Sequence, residues 1–222
     1  MPANTAPHCP LCGSPTSTPF FQSTGRRLQR DYLSCPDCAL VWVPPWQHLS
    51  LMAEKARYDL HDNDPADEGY RRHLERLTRP LIAALRGGAV GLDFGSGPSP
   101  VLQSMLVEAG FPTAIYDPFY APEPSVLERD FDFIVATEVV EHLRAPRVEL
   151  DRLWRKLEPD GLLALMTQLR SPDRNFADWH YKNDPTHIVF FAEETLRWLA
   201  KRWDAELERV ARDVWFFRKS AR

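Results

Sequence analysis

A chain of 222 residues, with 44% hydrophobic and 26% charged residues, is long enough for one full α/β domain plus a small appendage. Its net charge of −4 gives no general attraction to phosphate backbones, which argues against nucleic acid as a partner. No apolar run approaches the length needed to span a bilayer, and the stretch from Met1 to His8 lacks the apolar core of a secretion signal, so a cytoplasmic protein with no membrane partner is expected.

All four cysteines fall in two knuckles, Cys9-Pro-Leu-Cys12 and Cys35-Pro-Asp-Cys38. Paired C-x2-C motifs at this separation match a zinc ribbon. Four thiolates close a tetrahedral shell and leave no open coordination position, so the metal would staple a segment too short to bury its own core. Disulfide pairing is the alternative, and it fits a reducing compartment poorly. Ala39 to Val43 alternates into a strand that Pro44-Pro45 stops. Residues 1–45 are therefore expected to form a zinc-ribbon-like segment. From 46 to 67 the chain mixes aromatics, acids and prolines without a clear period and reads as a linker, with an exposed loop at His61-Asp-Asn-Asp-Pro65.

Residues 68–222 carry regular patterns. Glu68 to Arg86 predicts a helix, with Tyr70, Leu74, Leu77, Leu81, Ile82 and Leu85 at mainly three- and four-residue spacings and Gly87-Gly88 ending it. Ala89 to Phe94 is a short apolar strand that runs into Gly95-Ser-Gly-Pro-Ser-Pro100, and the helix after it has Ser99 as N-cap, Pro100 at its first position and Gly110 as its stop. Glycines here allow positive φ and let a ligand lie against bare backbone beside unpaired N–H groups. A second strand, Thr113 to Asp117, ends in an acid placed to accept both ribose hydroxyls of an adenosine. Strands at Phe131–Thr137 and Leu162–Thr167 flank a helix from about Ala145 to Leu157. A helix follows Phe190, and Ala205–Val210 with Asp213–Lys219 reads as a closing antiparallel pair.

In order, Asp93-Phe-Gly95-Ser-Gly97, the acid Asp117, Glu138-Val-Val-Glu141-His142-Leu143 and Leu157-Glu-Pro-Asp-Gly161 resemble the signatures of the class I S-adenosylmethionine-dependent methyltransferases. The resemblance covers roughly 81–219. It implies an α/β, Rossmann-like, mostly parallel sheet with an antiparallel closing strand, in a methyltransferase domain at 68–222. It further implies S-adenosylmethionine held by Asp93, Gly95, Ser96, Gly97, Asp117, Pro118, Phe119, Thr137 and Glu138. One departure is visible: between Asp117 and Phe131 three prolines leave room for only a short element, where the family places a helix, a third strand and an adenine loop. The sheet edge is expected to be shortened there, with Phe119 available to lie against the adenine.

The loop after the fourth strand gathers histidines, acids and aromatics at a strand's carboxyl end, where open α/β sheets bind their ligands. Its Asp184, His187 and Phe191 resemble a D-x-x-H-x-x-x-F pattern of the same family. His142, His180, Tyr181 and His187 are the catalytic candidates, because a hydroxyl acceptor must lose a proton and neutral histidine suits that task. The expected function is O- or C-methyl transfer to a small molecule or saccharide. Sugars are in view by analogy with ribbon-bearing sugar C-methyltransferases. Two alternatives stand. Glu138, Glu141, His142 and His187 resemble the cation ligands of small-RNA 2′-O-methyltransferases, and a non-catalytic cofactor-binding scaffold would keep the same fold. Nothing in the sequence specifies the acceptor or the oligomeric state.

Overall fold

The computed structural model describes residues 7–25, 28–60 and 64–221. Residues 61–63 of the expected exposed loop, and the first six of the ribbon segment, lie outside the described residues. In chain order the elements are β1 (Thr18–Gly25), β2 (Leu28–Ser34), β3 (Val41–Trp42), α1 (Leu51–Tyr58), α2 (Glu68–Ala84), β4 (Gly91–Phe94), α3 (Val101–Glu108), β5 (Thr113–Tyr116), β6 (Phe131–Thr137), α4 (Pro146–Arg155), β7 (Leu157–Met166), β8 (Val189–Phe190), α5 (Glu193–Trp203), β9 (Glu206–Ala211) and β10 (Val214–Arg218).

Six strands form the main sheet in the order β5-β4-β6-β7-β10-β9. The first four are parallel and β10 runs antiparallel to both its neighbours, as expected for the closing pair. Alternation along β6 shows why this sheet is buried on both faces. Phe131, Ile134 and Ala136 meet Leu150, Leu153, Leu196 and Leu199 of α4 and α5, while Phe133 and Val135 meet Leu74, Leu77, Leu81 and Leu102 of α2 and α3. The chain steps from β4 outward to β5 and then back across to β6. The carboxyl ends of β4 and β6 are therefore the switch point, where a crevice opens.

The shortened edge is present. Residues after β5 make an isolated bridge between Asp117 and Ala121 and a single 3-10 turn at Pro124–Glu128, so β5 is the edge strand. β7 begins at Leu157, five residues before the expected start, because Leu157 already pairs with Phe131 ahead of a register shift. α1 lies in the stretch read as a linker. Its eight residues carry no apolar stripe. It is held by the Ser50 hydroxyl accepting the Ala53 N–H at 3.2 Å, and by an ion pair of 2.6 Å between buried Glu54 and Arg144.

The amino-terminal segment does not stand apart. Its sheet has the order β1-β2-β3-β8, with Val41 paired to Phe190 and Trp42 to Val189, so the last strand comes from the loop after β7. Cys9, Leu11, Cys35, Cys38, Leu40 and Trp42 share one apolar cluster with Leu92, Phe131 and Leu163 of the main sheet. So small a segment cannot bury a core alone, and it borrows one. Among the described residues no helix is long and apolar enough to cross a membrane.

Candidate active site

The turn between β4 and α3 needs its glycines. Gly95 and Gly97 have φ of +79° and +67°, and a Cβ on Gly95 would collide with Val139. Asp117, at the end of β5, fastens this turn to the next one. One carboxylate oxygen accepts the Gly97 N–H at 2.9 Å, and the other accepts the N–H groups of Phe119 and Tyr120 at 2.8 and 3.0 Å. A carboxylate offers about four acceptor sites, so one remains for a ligand. The two turns, the end of β6 and α1 enclose a cavity of about 400 Å3. Gly95, Ser96, Gly97, Asp117, Pro118, Phe119, Thr137, Glu138, His142 and His187 all line it. Two of the lining hydroxyls, Ser96 Oγ and Thr137 Oγ1, are buried without a hydrogen-bond partner. Buried polar groups are rarely left so, and these two fit a polar ligand.

Asp93 is not part of the lining. It lies 3% exposed beneath the turn, where burial, opposed by a hydrogen bond from the Gln103 backbone, pushes its carboxyl up to about 7. Because the folded pKa is raised, this group's contribution to stability is full below about 3.8 and is lost as pH rises through about 7. Asp93→Asn cannot ionise. Its melting temperature should therefore gain on wild type between about pH 4 and pH 8, and a constant difference across that range would show that the carboxyl is well solvated.

Behind the cavity sits a buried carboxyl pair. Glu138, which follows β6 with a strained φ of +51°, accepts a bond of 3.0 Å from the Tyr181 hydroxyl, which is also hydrogen-bonded to Glu141. The Thr167 hydroxyl donates to the other Glu141 oxygen at 3.1 Å. Burial, reinforced by the neighbouring Glu141, pushes Glu138 up to about 9, and burial also raises Glu141 and Tyr181. Glu138 therefore keeps its proton at neutral pH.

The two histidines are fixed in the opposite sense. His142 Nδ1 lies 3.1 Å from the Thr186 carbonyl and His187 Nδ1 lies 2.7 Å from the Tyr181 carbonyl. A carbonyl only accepts, so both Nδ1 atoms carry the hydrogen and both Nε2 atoms carry a lone pair. Burial lowers both imidazoles, and the adjacent His142 helps to bring His187 down to about 3. Both rings are thus neutral acceptors at physiological pH, with centroids 4.8 Å apart.

The four catalytic candidates consequently divide. His142 and His187 line the cavity; Tyr181 is buried behind it, hydrogen-bonded to Glu138 and Glu141; exposed His180 lines a different and larger cleft. Sequence reasoning missed three neighbours. Tyr58 on α1 packs 5.8 Å from Phe119 and 5.4 Å from His142, and Glu54 lines the same cavity. Arg30 on β2, 3% exposed, donates to the His187 carbonyl at 2.9 Å and also to that of Pro185. A Ser50 cap was the only local signal for α1, and nothing local marks Arg30.

The cysteines form a second constellation. Each knuckle turns through a positive-φ residue, Gly13 at +80° and Ala39 at +58°, whose N–H donates to the first cysteine's carbonyl at 3.0 Å. The sulfurs of Cys9 and Cys38 are 3.6 Å apart and those of Cys12 and Cys35 are 3.4 Å apart, with all four within 4.8 Å of one another. A disulfide needs about 2.05 Å, whereas the edge of a tetrahedral zinc–thiolate shell is about 3.8 Å. The bond from Cys38 draws Cys9 down to about 5 while burial drives Cys12 up to about 12, so without a cation the thiols cannot all ionise together.

A family model described as a methyltransferase domain matches residues 66–210. The ubiquinone biosynthesis O-methyltransferase of Azorhizobium caulinodans is 33% identical over 140 residues, covering 60% of this chain and 51% of that protein, so the chain spans about half the length of this curated relative. Among solved structures, an O-methyltransferase family protein from Burkholderia thailandensis aligns with a TM-score of 0.51 at 12% identity, over 76% of this chain and 63% of that one. The 1,6-didemethyltoxoflavin-N1-methyltransferase of the same organism aligns with a TM-score of 0.46 at 20% identity, over 84% and 98%. With the family match spanning well over half its length and the strand order described above, the chain belongs to the methyltransferase-domain family and has the Rossmann-like fold of the class I S-adenosylmethionine-dependent enzymes.

Proposed function

We propose that this chain is an S-adenosylmethionine-dependent methyltransferase that transfers the methyl to oxygen or carbon of a small molecule or saccharide in the cytoplasm. The observation that carries this reading is one cavity in which the unpartnered Ser96 and Thr137 hydroxyls and the remaining acceptor site of Asp117 meet the Nε2 lone pairs of His142 and His187. Gly95, Ser96, Gly97, Asp117, Phe119, Thr137 and Glu138 would hold the cofactor, which supplies a methyl on a sulfonium, ready for in-line displacement. His187 accepts a hydrogen bond from the acceptor's hydroxyl and orients it, α1 screens the cavity from water with Tyr58, and the hydrogen-bonded Glu138–Tyr181–Glu141 cluster holds the loop in place. The kinship with an O-methyltransferase at 33% identity supports oxygen as the methyl's destination. In the amino-terminal segment, 1–45, the four cysteines would hold a structural zinc; 46–67 would link it to the methyltransferase domain at 68–222.

His187→Ala should keep near-normal affinity for S-adenosylhomocysteine and lose about 100-fold or more in labelled methyl transfer to a metabolite mixture. Collapse of cofactor binding in this variant would assign the loop to the wrong ligand. One observation favours a second reading. Ligand atoms of Glu141, His142 and His187 lie within 4.8 Å, and a carbonyl on each Nδ1 is the support that metal-bound histidines usually have. A divalent cation there would assist the reaction, as in the RNA-directed alternative, although the net charge of −4 opposes an RNA acceptor. Activity that survives chelation while the cysteine-bound zinc is retained rejects the cation.

A further inference from the structure

Beyond the carboxyl end of β7 and the adjoining amino end of the antiparallel β10 lies a cleft of about 1000 Å3 that the proposed chemistry does not use. It adjoins the cofactor cavity. Tyr181 stacks on Trp179, which lines the cleft, and packs at a tilt against His187, which lines the cavity, and on α2 Tyr70 of the cavity stacks on His73 of the cleft. The Thr167 N–H donates to the Asp213 carbonyl at 3.0 Å while its hydroxyl reaches Glu141, so the two spaces also share a wall.

Unsatisfied polar atoms concentrate in these two spaces. Of the seven buried side-chain atoms without a partner among the described residues, Ser96 Oγ and Thr137 Oγ1 belong to residues of the cavity, and Arg170 Nε, Asp213 Oδ1 and Trp215 Nε1 to residues of the cleft. Trp215 is 4% exposed and Asp213 is 7% exposed, and both residues line the cleft. Arg76 satisfies only the other Asp213 oxygen, at 3.0 Å, and Arg170 spends a terminal nitrogen on the Ala39 carbonyl at 3.2 Å. Each orphan costs free energy unless a ligand meets it. The set consists of an indole N–H, a guanidinium N–H and a carboxylate oxygen. Its complement is a molecule with an anionic oxygen for the two donors and a hydroxyl for Asp213.

Resting on the methyltransferase reading above, we propose that this cleft holds the non-reacting arm of the acceptor, and that this arm is a hydroxylated anion of the sugar-acid or sugar-phosphate kind. Its anionic oxygens bond Arg170 and Trp215 and one of its hydroxyls bonds Asp213. The reacting group then extends past Tyr70 and Glu138 toward the cofactor.

Calorimetry on the full chain saturated with S-adenosylhomocysteine tests this, with glucuronate, glucose 6-phosphate and neutral glucose as probes at millimolar concentrations. At least one anionic probe should bind and glucose should bind more weakly. A preference between the two anions identifies carboxylate or phosphate as the recognised group. Trp215→Phe, which removes only the N–H, and Asp213→Asn should each weaken the bound probe about tenfold while S-adenosylhomocysteine affinity stays unchanged. Binding of neither anion, equal binding of glucose, or indifference of both variants overturns the proposal. Failure of the wild type to bind S-adenosylhomocysteine at all would instead strike the methyltransferase reading, so the two failures are distinguishable.

Discussion

Replacing Asp117 by Ala is expected to weaken S-adenosylhomocysteine binding by at least about tenfold, and by up to about 100-fold, because a single lost bond to a charged group costs about 1.5–3 kcal/mol. The side chain has two tasks. It accepts three backbone N–H groups, from Gly97, Phe119 and Tyr120, and so fixes both turns that border the cavity. Its remaining acceptor site can take one ribose hydroxyl, not the two expected from the sequence, because the other three are spent on the turns. Alanine removes all of these at once and leaves three amides to find other partners. Asp117→Asn should fall between the two, since its amide oxygen can still serve Phe119 and Tyr120 while its NH2 opposes the Gly97 N–H. Calorimetry on the three proteins decides the matter, and equal affinities would place the cofactor elsewhere.

Loss of the zinc proposed for the four cysteines should have the largest effect on the fold, and it should reach the candidate active site. Structural zinc in small domains contributes roughly 10–16 kcal/mol of apparent binding energy, and removing one thiolate from a closed shell forfeits much of it. Cys35→Ala should therefore release the zinc and loosen β1 to β3. The damage should spread, because β3 pairs with β8 and Arg30 on β2 donates to the carbonyls of Pro185 and His187. Hydrogen exchange at Val189 and Phe190 should accelerate markedly, whereas S-adenosylhomocysteine affinity should fall less, since the glycine turn rests on β4 and β5. Arg30→Met should speed exchange in the same segment with the zinc retained, which separates the clamp from the metal. Unchanged exchange in a metal-free Cys35→Ala protein would show that the loop holds itself. Metal analysis of the wild type made with ample zinc checks the premise, and reduced thiols without bound zinc would remove it.

Much of this molecule was legible from the chain because the determining interactions are local. β6 spans the expected Phe131–Thr137, since a short, nearly continuous apolar run suits a parallel strand buried on both faces. The turn at Gly95 and Gly97 follows from glycine's freedom at positive φ, and the knuckles from cysteine spacing. The trimmed edge beyond Asp117 follows from three prolines that no long helix accommodates.

Other features depended on which surfaces meet. α1 buries none of its apolar residues as a stripe that would announce it, and it is held by a salt bridge to Arg144, distant in sequence. A two-residue strand such as β8 has no periodicity to read, yet it joins the amino-terminal sheet to the loop that carries His187. His180 and Tyr181 are neighbours in one short 3-10 turn, but one faces the outer cleft and the other is buried between two carboxyls, a division that sequence adjacency conceals. Asp93 reads as a ligand-binding acid and lies beneath the turn instead, because every residue of β4 is buried. Sequence by itself determined the strands and helices of the main sheet's layers and the glycine and cysteine turns, through propensities and spacings that act within a few residues. Only the tertiary structure decided which side chains share a cavity and which polar atoms are left without partners, because those outcomes depend on packing between segments far apart in the chain.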